Sequence, residues 1–183
     1  MMAIETERLV LRHLTLEDSS IVEELASDYE IAKSTLTIPY PYPKGSASSF
    51  IASVLEQVKE GKLYIYAITR KEDCSLVGII NLSINRTHNK GELAYWVGVP
   101  YWGKGYGTEA ARALIQYGFE QGDLNKIFAA AFTDNPGSWR IMEKIGMKYE
   151  GTFRQHVLKW DEYKDLAYYG ILKQDYLENL NNL

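Results

Sequence analysis

The chain has 183 residues, 46% of them hydrophobic and 24% charged, with a formal net charge of -4. That balance argues against disorder and suits one domain, residues 1–183, with a real core. No Lys/Arg-rich run is present, which argues against nucleic acid as a partner and leaves any polyanionic ligand to local donors. The single cysteine, Cys74, cannot form an internal disulfide and fits a reducing cytoplasm. The start, MMAIETERLVLRH, has no apolar signal core, and no stretch approaches membrane-spanning length, so a cytoplasmic protein without membrane contact is expected.

In chain order, Arg8 to His13 alternates, with Leu9 and Leu11 on one face, and reads as a strand. Thr15 to Asp18 resembles a capping box with Asp in place of Glu, opening a helix through about Ala26. Thr35 to Gly45, TLTIPYPYPKG, holds three prolines and is irregular. A helix from about Ser46 to Glu60 puts Phe50, Ile51, Val54, Leu55 and Val58 on one apolar face, and Gly61 ends it. Leu63 to Thr69, Leu76 to Asn85 and Gly91 to Val99 read as strands joined by short turns, and hence as antiparallel neighbours.

The pattern then changes. A long helix from about Gly105 to Gln121 carries Gly107, Ala110, Ala111, Leu114 and Gly118 on one face, small enough to lie close to a sheet. Lys126 to Phe132 reads as a buried strand. Asn135 and Pro136 start a helix that ends near Gly146. Two last strands run from about Tyr149 to Val157 and from Tyr163 to Leu172. The expected fold is α/β: an antiparallel meander followed by a strand–helix–strand crossover.

The chemistry-bearing segment is VGVPYWGKGYGTEA, where Gly103, Gly105 and Gly107 lie directly between a strand and a helix. The first turn of a helix leaves backbone N–H groups unpaired, and the peptide dipoles add positive charge there. A phosphate meets both, and glycines let the backbone approach it. Lys104 adds a mobile charge and Thr108 a hydroxyl. A turn that merely needs glycines is the plainer alternative. The loop lacks the P-loop spacing, and Thr108 stands where the dinucleotide fingerprint needs its third glycine, so both nucleotide readings weaken.

The loop resembles the Q/R-x-x-G-x-G/A pyrophosphate loop of the GCN5-related N-acetyltransferases (GNAT). TERLVLRHLTLEDS is similar to their opening strand and helix, ELAYWVGVPYWGKGYGTEA to their central strand, loop and helix, and NPGSWRIMEKIGMKYEG to their later helix and strand. The resemblance spans nearly the whole chain and is greatest to the RimJ/RimL-like branch of ribosomal-protein N-terminal acetyltransferases. Trp102 departs from the pattern, standing where Gln or Arg is usual; backbone N–H groups do the phosphate work, so the change should spare binding.

The resemblance implies a single GNAT-like domain: a mixed, mostly antiparallel twisted sheet with helices on both faces and a splayed central strand. It implies acetyl-CoA as cofactor and a primary amine as acceptor, either a peptide N-terminus or a small amine. The pyrophosphate would lie on the backbone of Trp102, Gly103, Lys104, Gly105, Tyr106, Gly107 and Thr108, and the pantetheine arm along Trp96, Val97, Gly98 and Val99. Glu92, at the head of that strand, matches an acidic position of the branch. It reads either as a base acting through water or as a strand-end charge. Asn135 and Ser138 match an N-x-x-S element. Ser138 would meet the thioester sulfur or a pantetheine amide, whereas Asn135 would contact cofactor, cap the helix, or do both. Tyr40 and Tyr42, with Trp160 and Tyr163 opposite, would line the acceptor mouth or simply pack there.

His13, His88 and His156 show no metal-ligand spacing, so no metal is expected. The rival class is an acetyl-CoA sensor without turnover. Nothing in the sequence fixes an oligomeric state.

Overall fold

The computed structural model describes residues 2–181. The strands are β1 (Ile4–Glu5), β2 (Leu9–His13), β3 (Leu63–Arg70), β4 (Leu76–Asn85), β5 (Lys90–Val97), β6 (Lys126–Phe132), β7 (Lys148–Lys159) and β8 (Glu162–Leu172). The helices are α1 (Ser19–Ala26), α2 (Tyr29–Ser34), α3 (Ser46–Lys59), α4 (Tyr106–Glu120), α5 (Pro136–Lys144) and α6 (Lys173–Asn181).

The strands form one sheet in the order β1-β2-β3-β4-β5-β6-β8-β7. Only β5 and β6 pair in parallel, because α4 crosses between them; every other pair is antiparallel. The fold is therefore the mixed, mostly antiparallel sheet with flanking helices that the resemblance implies, and it contains the meander and crossover read from the residues. Alternation along each strand builds two cores. On one face α4 and α5 cover Leu11, Ile68, Ile80, Leu93 and Ile127. On the other, α1 and α3 cover Ile65, Ala67 and Ile79. The five small or apolar positions read along α4 are all buried.

Asp18 fixes the entry to α1. Its Oδ2 accepts from the Thr15 N–H at 2.8 Å, and its carboxylate takes both Arg12 NH groups at 2.9 and 2.6 Å. Burial alone would raise the Asp18 pKa, but the bonds from Arg12 and Thr15 outweigh it and hold the group below its ordinary value.

The structure corrects several boundaries. β5 ends at Val97, and Val99 belongs to a short 3-10 turn, Val99–Tyr101, with Pro100 inside it. The buried positions of α3 are Ala47, Ile51 and Val54, while Phe50 is exposed. The elements α2, α6 and β1 have no counterpart in the periodicity reading; α2 and β1 are too short to show a period.

The feature that positions the site is a wedge. β5 and β6 pair only where Lys90, Gly91 and Glu92 meet Lys126, Ile127 and Phe128. Beyond Glu92, β5 stays on β4 through Val97 and β6 stays on β8 through Phe132. The facing edges separate, and their backbone groups lose their partners across the gap.

Candidate active site

Above the wedge, Gly103 and Gly105 adopt φ +73° and +82°, a left-handed conformation that side-chain-bearing residues rarely take. The first α4 bond runs from the Glu109 N–H to the Gly105 carbonyl at 3.1 Å. The N–H groups of Tyr106, Gly107 and Thr108 precede it, and helix geometry leaves them without an intrahelical acceptor. This terminus is built to take an anion.

Arg8 braces the loop from β2's approach. Its NH1 donates to the Lys104 carbonyl at 2.9 Å, its Nε donates to Glu109 at 2.8 Å, and its guanidinium lies 5.0 Å from the Tyr106 ring centre. Burial alone would raise the Glu109 pKa, but bonds from Thr6 and Arg8 lower it overall. Arg8 thus neutralises a carboxylate that would otherwise oppose an anion at this helix end. The Trp102 indole N–H donates to the Val97 carbonyl at 2.5 Å, joining the loop to the splayed strand. The Lys104 ammonium rests 5.5 Å from the Tyr101 ring centre.

Of the stretch Trp96 to Val99, only Trp96 and Val97 lie in the strand. The Gly98 N–H is engaged by the Val77 carbonyl at 2.8 Å, and the Val99 carbonyl accepts from the Trp102 N–H at 3.1 Å.

Glu92 sits where parallel pairing ends, opposite Phe128, with its side chain exposed. On the far side of the wedge, Asn135 Oδ1 caps α5 by accepting from the Ser138 N–H at 3.2 Å, and its Nδ2 donates to the Ser34 carbonyl at 3.1 Å. The Asn135 amide therefore ties the start of α5 to the end of α2. The Ser138 hydroxyl donates to the Tyr95 phenol oxygen, and that phenol donates back to the Ser138 carbonyl. Burial pushes the Tyr95 pKa up to about 12.

Glu92, Trp96, Ser138 and Tyr42 share a cleft of about 660 Å³ under the 35–43 loop. Asn81, Phe50, His156 and Tyr168 also line it, and sequence reading singled out none of them as a site residue. The pattern of β4 alone does not mark Asn81, because the strand also carries Ser83 and Asn85; the register with β5 puts Asn81 on the same face as Glu92. Tyr168 carries a raised pKa, first from burial and then from the charge of Glu92. Gly105 and Thr108 line a separate groove with Arg8, Arg112 and Lys144.

Three of the four residues expected at the acceptor mouth do not line the cleft. Tyr40 meets Tyr29 edge-on at 5.2 Å, and Trp160 stacks on the same ring at 5.5 Å. Tyr163 is 64% exposed near the β7–β8 turn. The 35–43 loop is held instead by the buried Lys159, whose Nζ donates to the Leu36 and Ile38 carbonyls at 3.3 and 2.9 Å. Burial lowers the Lys159 pKa. Among the described residues no three His, Cys, Asp or Glu converge to hold a metal, and no helix is long and apolar enough to cross a membrane.

This geometry has relatives. The chain is 32% identical over 177 residues to YnaD, an uncharacterized N-acetyltransferase of Bacillus subtilis (strain 168), covering 96% of this chain and 99% of that one. It is 34% identical over 123 residues to YdaF of the same organism, a putative ribosomal N-acetyltransferase, covering 67% and 63% of the two chains. A crystal structure of a GNAT-family acetyltransferase from Bacillus anthracis superposes with a TM-score of 0.84 at 29% identity, over 94% of this chain and 99% of that one. Residues 8–148, which run from the Arg8 brace through the wedge and α5, match the acetyltransferase (GNAT) domain, and the chain belongs to that family of acetyltransferases.

Proposed function

We propose that this chain transfers the acetyl group of acetyl-CoA to the α-amine of a peptide or protein N-terminus, in the manner of the RimJ/RimL-like branch. The observation that carries the reading is the wedge itself: it opens at Glu92, with an anion-binding helix terminus above it and a cleft beside it.

The backbone from Trp102 through Thr108, with the Lys104 ammonium, holds the cofactor's pyrophosphate. The splayed strand at Trp96 and Val97, continuing to Gly98 and Val99, receives the pantetheine amides on the backbone groups that Val77, Tyr101 and Trp102 leave open. Acetyl-CoA supplies an activated thioester. Glu92 takes the amine proton through water, and Ser138 hands a proton to the departing sulfur. One C–N bond forms, one C–S bond breaks, and the proton lost by the amine balances the proton gained by the thiol. Asn135 serves by fixing Ser138. Tyr42 walls the acceptor cleft, while Tyr40 and Trp160 pack on Tyr29 and Tyr163 stands exposed near the β7–β8 turn.

Proton cost favours an α-amine. Neutralising a lysine-like amine at pH 7 costs roughly 4.6 kcal/mol, against about 1–1.4 kcal/mol for an α-amine. A cleft lined by one carboxylate, Glu92, suits the cheaper case. The putative ribosomal acetyltransferase among the relatives is consistent with it. Residues 1–183 act as one domain, and the exposed free thiol of Cys74 supports a reducing cytoplasm as its location. Calorimetric titration with acetyl-CoA, with ATP and NAD as controls, tests the donor. Selective acetyl-CoA binding followed by turnover of N-terminal peptides supports the reading, whereas binding without turnover of any amine identifies a sensor.

A further inference from the structure

The cleft reads more than the amine. Glu92 is its only lining carboxylate among the described residues, and no lysine or arginine lines it. Most of the wall is apolar, including Phe50, Ile79 and Trp96. A second cation on the acceptor would find no further carboxylate among the described residues that line it.

Hydroxyls and His156 also line the cleft, and among the described residues Asn81 is the one side-chain amide in its wall. Asn81 pairs across the sheet with Ala94, so it lies diagonal to Glu92 on the same face, at a spacing of about 7–8 Å typical of such neighbours. Its amide faces the cleft, and among the described residues none hydrogen-bonds to it. Asn81 is half-buried, and its amide offers two donors and an acceptor to a group bound beside it.

We propose that Asn81 is a specificity-determining residue: it hydrogen-bonds a neutral carboxamide adjoining the acceptor amine, while Glu92 serves the amine. The class of acceptor that satisfies both is an α-amine whose first peptide group is one carbon away and whose first side chain is uncharged. A polyamine offers a second cation where the wall offers an amide. This rests on the acetyl transfer proposed above and names the acceptor within it.

The test compares kcat/KM, referred to the neutral amine, for three acceptors. These are alaninamide, its analogue with an isopropyl group replacing the carboxamide, and the diamine putrescine. Wild type prefers alaninamide over the isopropyl analogue. Asn81→Leu lowers that preference by about tenfold, the factor one lost hydrogen bond carries, with acetyl-CoA affinity unchanged by calorimetry. Asn81→Asp raises putrescine relative to alaninamide by a similar factor, about tenfold. If Asn81→Leu fails to bind acetyl-CoA, Asn81→Ser carries the same comparison. Ratios unchanged in variants that still bind acetyl-CoA overturn the role of Asn81 alone. No turnover of any amine by wild type overturns the transfer reading and this one together.

Discussion

The Ser138 hydroxyl lies 3.2 Å from the Tyr95 phenol oxygen, and that phenol donates to the Ser138 carbonyl at 2.9 Å. Ser138 opens α5 on one side of the wedge, and Tyr95 belongs to β5 on the other. The pair therefore bridges the gap beyond the last β5–β6 pair at Glu92. With its pKa pushed up to about 12 by burial, Tyr95 keeps its proton at every working pH. It can orient the serine and supply a neutral O–H.

If Ser138 serves the leaving sulfur, Ser138→Ala lowers kcat by about 10²-fold, the low end for acid catalysis. Tyr95→Phe, which keeps the ring but frees the hydroxyl to rotate, lowers it by about tenfold. The double variant should fall no further than Ser138→Ala alone, because the two act as one unit. Steady-state kinetics on the three variants checks this, and additive losses would separate the residues.

Glu92→Gln should leave acetyl-CoA affinity near wild type and lower turnover at neutral pH by about 10²-fold. Raising the pH increases the neutral fraction of the amine, so the deficit narrows in alkaline buffer. A pH–rate profile superimposable on wild type would remove Glu92 as base.

Arg8 makes a prediction at the loop. Arg8→Ala frees the Lys104 carbonyl and leaves Glu109 uncompensated beside the anion site. Acetyl-CoA affinity should fall about tenfold or more by calorimetry, the range for a charged hydrogen bond. Adding Glu109→Gln should recover part of the loss, because it removes the uncompensated charge. Gly105→Glu should abolish binding outright: φ is +82° there, and the added side chain meets the Arg8 guanidinium at 3.3 Å, where the loop is braced.

The Arg12–Asp18 pair, 2.6 Å apart with Asp18 nearly buried, predicts a pH signature in stability. Asp18→Asn should cost about 2–3 kcal/mol at pH 7 by denaturant unfolding. The folded pKa of Asp18 lies below its unfolded value, so its contribution is present above the ordinary pKa of about 3.9 and fades as pH falls through the lower folded value. Wild type and variant should converge in that acidic window.

Most of the architecture was legible because the signals are local. The aromatic and branched residues of β3, the small-residue face of α4 and the Asn135–Pro136 start of α5 each state their element without help from the rest of the chain. The glycines of the loop were legible for the same reason, since Gly103 and Gly105 both need positive φ. The cleft wall was not. Asn81, His156 and Tyr168 come from β4, β7 and β8, and only the register of the sheet brings them to Glu92. Arg8 is separated from Glu109 by 101 residues, so no window along the chain could join them. Tyr40 and Trp160 were visible as aromatic residues, but their partner Tyr29 lies in α2, a helix too short to announce itself.

The most direct test of the account is to mix the protein with acetyl-CoA and an alanine-initiated peptide, following free thiol release and the mass of the peptide together. The account predicts thiol release that requires the peptide, equals it in amount, and yields a peptide acetylated at its α-amine. Thiol release without acetylated product, or acetyl-CoA bound and never consumed across peptides and small amines, would contradict it.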